Sequence, residues 1–142
     1  MACCGLYAMD RIFDAVSKEK LKLIGKAINT IELHEDGKLA LATVTKKMLE
    51  ETGALDEDTE GIINYVRNIN GVEIAALFKE KEDLEIKVSL RSKSYADVAE
   101  IALKHNGGGH KNAAGCTINA PLGEAKKIIF DDLIKAINTH KS

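Results

Sequence analysis

The sequence predicts a single α/β (α+β) domain, a mixed β-sheet flanked by helices and preceded by a helical lead-in. Three observations predict it. Ile86, Val88 and Leu90 alternate with Lys87, Ser89 and Arg91, the period of two of a half-buried strand. Ala125, Ile128, Ile129, Leu133, Ala136 and Ile137 recur at helical spacing behind Pro121. Strand and helix signatures then alternate along 142 residues, a length that suits one layered domain.

Residues 1–34 read as the lead-in and 35–142 as the domain proper. From Met9 to Leu33 the pattern is helical: Met9, Ile12, Phe13 and Val16 share one face, and so do Leu21, Ile24, Ile28 and Ile31. Ser17 can cap a second helix within that stretch. His34-Glu-Asp-Gly37 is a turn with a hairpin signal in Asp36-Gly37, followed by a strand over Lys38–Thr45. Thr45 caps a short helix through Glu51, stopped by Gly53. Six acids lie between Glu50 and Glu60, and four of them precede or open a helix from Asp58 to Asn68, where carboxylates suit the positive end of the dipole; the run is a solvated helix start or, alternatively, a cation or partner site. Gly71 ends it. Val72–Lys79 and Leu84–Leu90 are two strands joined by the charged turn Glu80–Asp83. Ser94 caps a helix over Tyr95–His105 with Asp97 completing a capping-box variant, and Asn106-Gly107 ends it. A short strand over Cys116–Ala120 leads to the final helix.

Composition narrows the function. Twenty basic and twenty-two acidic side chains give a net charge of −2, which excludes a uniformly basic nucleic-acid binder but not a local patch. With no Trp, three Phe and three Tyr there is little aromatic surface for stacking bases. No apolar run approaches the ~20 residues of a membrane helix. Cys3, Cys4 and Cys116 form neither a disulfide framework nor a zinc spacing, which points to a reducing cytoplasm. MACCGLY reads as an expression start or as the cut edge of a longer protein.

The most informative stretch is Gly107-Gly108-Gly109-His110-Lys111-Asn112-Ala113-Ala114-Gly115. Three successive glycines cost chain entropy and are useful where backbone takes positive φ or is closely approached. If His110–Ala114 opens a helical turn, the amides of Gly108–Lys111 point outward at a helix N-terminus and form a phosphate or carboxylate site. The alternative is a helix stop with a flexible turn. His110 is a second donor there, or a surface histidine. The stretch is neither a Walker phosphate loop nor a dinucleotide fingerprint. Ser89-Leu-Arg-Ser-Lys93 is the second element, in which Arg91 offers a planar fork for phosphate, or is an ordinary cation at a strand end. Between Ile86 and Asn112 five cations (Lys87, Arg91, Lys93, Lys104 and Lys111) face two anions (Asp97 and Glu100), a local +3 in a chain of −2. The histidines and Cys116 lack metal-ligand spacing.

KVSLRSKS (Lys87–Ser94), DVAEIA (Asp97–Ala102) and GGGHKNAAG (Gly107–Gly115), in this order, resemble the DHH-associated domain, the C-terminal substrate-binding half of DHH phosphoesterases. The resemblance is nearer to the NrnA type, bifunctional oligoribonucleases and 3′-phosphoadenosine-5′-phosphate (pAp) phosphatases, than to RecJ. LKLIGKAINTIEL (Leu21–Leu33) is similar to the family's lead-in between its two domains. The resemblance implies a hydrolase of two halves. An N-terminal half with an Asp-His-His motif holds two Mn²⁺ ions that activate water, and the C-terminal half grips a short RNA or a 3′,5′-bisphosphonucleotide. It implies that Arg91 contacts phosphate or base, that Gly107, Gly108, Gly109 and His110 line the phosphate pocket, and that Ser89, Lys93 and Asn112 are weaker contributors. It leaves a homodimer open. His34, His105, His110 and His140 are all isolated, so the Asp-His-His half is not in this sequence, no cofactor is expected on this chain and catalysis by it alone is not expected. Two other functions stay open: a stand-alone nucleotide or nucleic-acid binding module, and a regulatory domain reading a small phosphorylated effector.

Overall fold

The computed structural model describes residues 16–139. Helix α1 (Lys18–Ile28) starts at Ser17, whose hydroxyl accepts from the Lys20 amide. It ends before Leu33, which lies in strand β1 (Glu32–His34) and not in a helix. The part of the predicted helix from Met9 to Ala15 falls outside the described residues. The buried stripe of α1 is Leu23 and Ala27, so the expected face through Leu21 and Ile28 is corrected: both are exposed. The Glu35–Lys38 turn reverses the chain into β2 (Leu39–Val44), antiparallel to β1. Thr45 caps α2 (Lys46–Thr52), and Gly53 closes it in the left-handed region.

The predicted helix over Asp58–Asn68 is two pieces. Asp56–Thr59 form a 3₁₀ turn, Gly61 takes φ +88°, and α3 (Ile62–Arg67) follows. That backbone breaks a continuous helix and is one only glycine adopts cheaply. β3 (Ile74–Glu82) and β4 (Glu85–Ser92) run further than predicted, so the charged segment is mostly strand and the hairpin turns at Asp83-Leu84. Helix α4 (Val98–Lys104) is capped by Asp97, which accepts from the Ala99 and Glu100 amides. The expected cap, Ser94, instead donates to Glu73. β5 (Gly108–His110), β6 (Ala113–Ile118) and α5 (Leu122–Asn138) complete the chain. Ala125, Ile129, Leu133 and Ile137 are fully buried on α5, whereas Ile128, predicted on that face, is exposed.

The strands form one mixed sheet in the order β1-β2-β3-β4-β6-β5, with β2 and β3 parallel and every other pair antiparallel. The fold class is therefore the predicted one. Helices cover the two faces unequally. On one face α4 and α5 bury Leu41, Phe78, Val88, Leu90 and Cys116. On the other, α1, α2 and α3 bury Ala40, Ala42, Ala75 and Leu77 of β2 and β3 alone. The second face of β6 and β5 lies open, α3 reaches only the β4 side of it, and the side chains of this half-sheet are polar or small. Among the described residues no helix is long and apolar enough to cross a membrane.

Candidate phosphate-binding face

Strand register decides what stands on the uncovered half-sheet. Arg91 of β4 and His110 of β5 both pair with Ala113 of the intervening β6, so all three project to the same side. One row along, Ser89 and Gly108 both pair with Gly115. In the next, Lys87 pairs with Thr117. The face is thus a floor of small residues edged by Arg91, Lys87 and His110. Arg91 is half-buried, while Lys87 and His110 are exposed.

GGGH is not the start of a helix. Gly108, Gly109 and His110 run as the edge strand β5, with Gly107 leading into it, and Lys111-Asn112 turn the chain into β6. The Gly107 amide is taken by the Ala102 carbonyl, and Gly108–His110 pair with β6. The outward row of amides expected of a helix N-terminus is therefore absent. The physical reason is the open edge of β6, whose ladder offers Gly108–His110 backbone partners that an isolated turn lacks.

The three glycines have different reasons. A Cβ at Gly107 would collide with the Gly115 carbonyl and the Cys116 side chain, and one at Gly109 would meet Ala114 at 2.5 Å from a φ of +144°. Both let β5 lie close against β6. A Cβ at Gly108 meets nothing within 4 Å, because it projects into the open face.

Other residues brace this arrangement. The Asn112 side chain donates to Ser92 Oγ at 2.9 Å, its carbonyl accepts from the Ser92 amide, and the Lys111 carbonyl accepts from the Val98 amide. Asn112 is thereby tied to the end of β4 and does not face the row of Arg91. Lys93 is likewise engaged, its ammonium donating to the Ile69 carbonyl at 2.8 Å. Buried Glu73 accepts from the Ser94 amide, the Ser94 hydroxyl and the Ala96 amide, fixing the chain after β4.

Arg91 lies at one end of a cleft of about 460 Å³ whose floor includes Leu77, Lys79, Lys87 and Ser89. Asp56, Glu57 and Glu60 of the 3₁₀ segment form its opposite wall. The predicted acidic run is therefore the rim of the cationic face. Lys79, 9% exposed, is held by Asp56 at 3.3 Å and Thr59 at 3.2 Å, and Lys81 also reaches Asp56. Burial pushes the Asp56 carboxyl up, but the hydrogen bonds and charges of the two lysines outweigh it and leave it below the usual value. Burial, and then the nearby Arg67 guanidinium, pull Arg91 below its usual range. Arg67 ends α3 one turn beyond Ile63, which lines the cleft. Two guanidiniums repelling each other beside an open floor are poised for an anion.

Sequence reasoning missed Arg67 because no local pattern links it to a strand 24 residues later. It left Lys87 out of the site, although its alternation with Ser89 and Arg91 already placed it on that face. Among the described residues no group of three or more His, Cys, Asp or Glu is placed to hold a metal ion. Burial pushes the Cys116 thiol up, which keeps it inert.

The model of the DHHA1 domain family matches residues 36–139, which take in every strand of the face just described. The chain belongs to the DHHA1 family. The DHHA1 domain here is 35% identical over 97 residues to the bifunctional oligoribonuclease and PAP phosphatase NrnA of Thermus thermophilus, covering 68% of this chain and 28% of that protein. It is 30% identical over 128 residues to the NrnA of the same description from Bacillus subtilis, covering 88% of this chain and 40% of that one. The resemblance read from KVSLRSKS and GGGHKNAAG is confirmed. The chain spans well under half the length of these curated relatives. An exopolyphosphatase-related protein from Bacteroides fragilis superposes with a TM-score of 0.80 at 28% identity, over 93% of this chain and 38% of that chain. A pGpG-specific phosphodiesterase from Vibrio shares the fold, with a TM-score of 0.56 and 20% identity over 86% of this chain and 40% of that one.

Proposed function

We propose that this DHHA1 domain is the substrate-gripping part, residues 35–142 with the lead-in before them, of an NrnA-type phosphoesterase. It binds the phosphate of a short oligoribonucleotide or of 3′-phosphoadenosine-5′-phosphate on the uncovered half-sheet. The observation that carries this reading is the shared row of Arg91, Ala113 and His110, flanked by the row of Ser89, Gly115 and Gly108. A guanidinium offers two parallel donors to phosphate oxygens. His110 adds a donor from the far side, and the Cβ-free Gly108 and Gly115 leave room for the ligand between them. Small residues in the floor suit a sugar-phosphate laid flat across the strands.

The two manganese ions that the resemblance assigns to an N-terminal half do not fit the described residues, among which no ligand cluster is placed to hold them. In this reading a separate DHH domain faces the open half-sheet across the cleft and performs the hydrolysis in the cytoplasm. This chain supplies binding and orientation.

The test is an NMR titration of the isotope-labelled chain with 3′-phosphoadenosine-5′-phosphate. The expected result is saturable movement of the Arg91 side-chain signal together with the amides of Gly108, His110 and Gly115. Movement confined to surfaces behind α4 and α5 would overturn the reading.

A further inference from the structure

Beside the Arg91 row lies a second cleft, of about 560 Å³, on the other side of Lys87. It is bounded by the end of α4, the start of the glycine strand and the part of β6 that runs past β5. Lys87, His105, Asn106, Gly108, Thr117 and Asn119 line it. The chemistry of its wall differs from that of the first cleft, which carries Asp56, Glu57 and Glu60. This one has no carboxylate in its lining, in a chain whose acids outnumber its bases.

His105 is the built part of it. Its Nε2 is 3.1 Å from Asp132 Oδ2 of α5, and each side chain is only 18% exposed. A carboxylate accepting from Nε2 fixes the tautomer and the orientation of the ring. With Nε2 engaged by Asp132, Nδ1 is the ring nitrogen left for a ligand, and it donates when the ring carries its second proton. Lys104 also reaches Asp132, at 3.4 Å, so the carboxylate is bound from two sides.

We propose that this cleft is a second phosphate subsite, read by Lys87 and His105 with the side-chain carboxamides of Asn106 and Asn119, and that Asp132 is its positioning residue. The inference rests on the phosphate-binding reading of the Arg91 row. It adds to that reading a direction and a ligand with separated phosphates. Lys87 lines both clefts and stands four residues from Arg91 on β4. That is about 13 Å at strand rise, more than one phosphate bridges. The ligand that engages both ends is an oligonucleotide running along β4 from Arg91 toward His105. A mononucleotide fills the Arg91 end only.

The test compares 5′-AMP with 5′-phosphorylated triadenylate on the full chain, read by calorimetry and by the ring ¹⁵N signals of the histidines. The expected result is that triadenylate moves the His105 ring and AMP does not. His105→Gln and Asn119→Asp should each weaken triadenylate roughly three- to tenfold and leave AMP unchanged. Asn119 is exposed and outside the α4–α5 contact, so its variant tests the subsite even if His105→Gln loosens the fold. If AMP binds but triadenylate neither moves His105 nor weakens in both variants, the second subsite is refuted and the Arg91 reading stands. If triadenylate engages His105 while AMP binding is lost and Arg91 stays silent, the Arg91 reading fails and the second cleft survives. If neither ligand binds, both are refuted.

Discussion

Arg91 and His110 face the same side of the sheet because each is in register with Ala113, one from each neighbouring strand. They are separated by two strand spacings, about 10 Å, across a residue whose side chain is a single methyl. That relationship makes the half-sheet a receptor for an anion.

Removing the fork tests it most directly. Arg91→Ala should weaken nucleotide binding by about 1.5–3 kcal/mol, the scale of hydrogen bonds to a charged group. Calorimetry with 3′-phosphoadenosine-5′-phosphate measures the loss, and an unaltered thermal midpoint assigns it to binding. Arg67→Ala should weaken the same ligand by a smaller amount.

The glycines should separate into two kinds. Gly108→Val should keep the fold, since its Cβ enters open space, and should abolish binding by filling the floor. Gly107→Ala places a methyl against the Gly115 carbonyl and Cys116 and should destabilise by about 1–3 kcal/mol in urea denaturation. Equal stability losses at both positions would contradict this division.

Glu73 should matter for stability more than for charge. Glu73→Ala leaves the Ser94 and Ala96 amides without their acceptor and should cost about 2–3 kcal/mol. Denaturation midpoints of the Ala and Gln variants measure this, with Gln retaining part of the stability through its own carbonyl oxygen.

Acid should act through Asp132. Burial raises its carboxyl, but the hydrogen bonds of His105 and Lys104 prevail and hold it below the ordinary 3.8. A carboxyl depressed on folding stabilises the protein above its unfolded value and loses that contribution as pH falls through the folded one. The thermal midpoint of the wild type should therefore drop more steeply below about pH 4 than that of Asp132→Asn. Parallel pH profiles for the two proteins would exclude the linkage. At neutral pH the variant should be less stable by about 1 kcal/mol.

Asp56 should restrain the cationic face. Asp56→Asn releases Lys79 and Lys81 and should tighten nucleotide binding by about 0.5–1 kcal/mol at low salt, a gain that fades as salt rises. Affinities at two ionic strengths decide it.

Local chemistry alone determined much of this protein. The alternation of Ile86, Val88 and Leu90 with Lys87, Ser89 and Arg91 placed the cations on the polar side of a strand, because successive side chains on a pleat must point apart. Ser17 and Thr45 capped their helices, and the turn before Leu39 closed its hairpin, since each satisfies backbone groups within a few residues. The motifs also sufficed for the family. Tertiary structure decided the rest. Ala113 and Ala114 suit helix or strand, and only the free edge of β6 made Gly108–His110 a strand. Ser94 and Asp97 both had the chemistry of a cap, and the buried carboxylate of Glu73, the residue before β3, claimed Ser94. Which half of the sheet stayed bare depended on where α1, α2 and α3 packed, and that is settled by contacts between residues far apart in the chain, which no local pattern encodes.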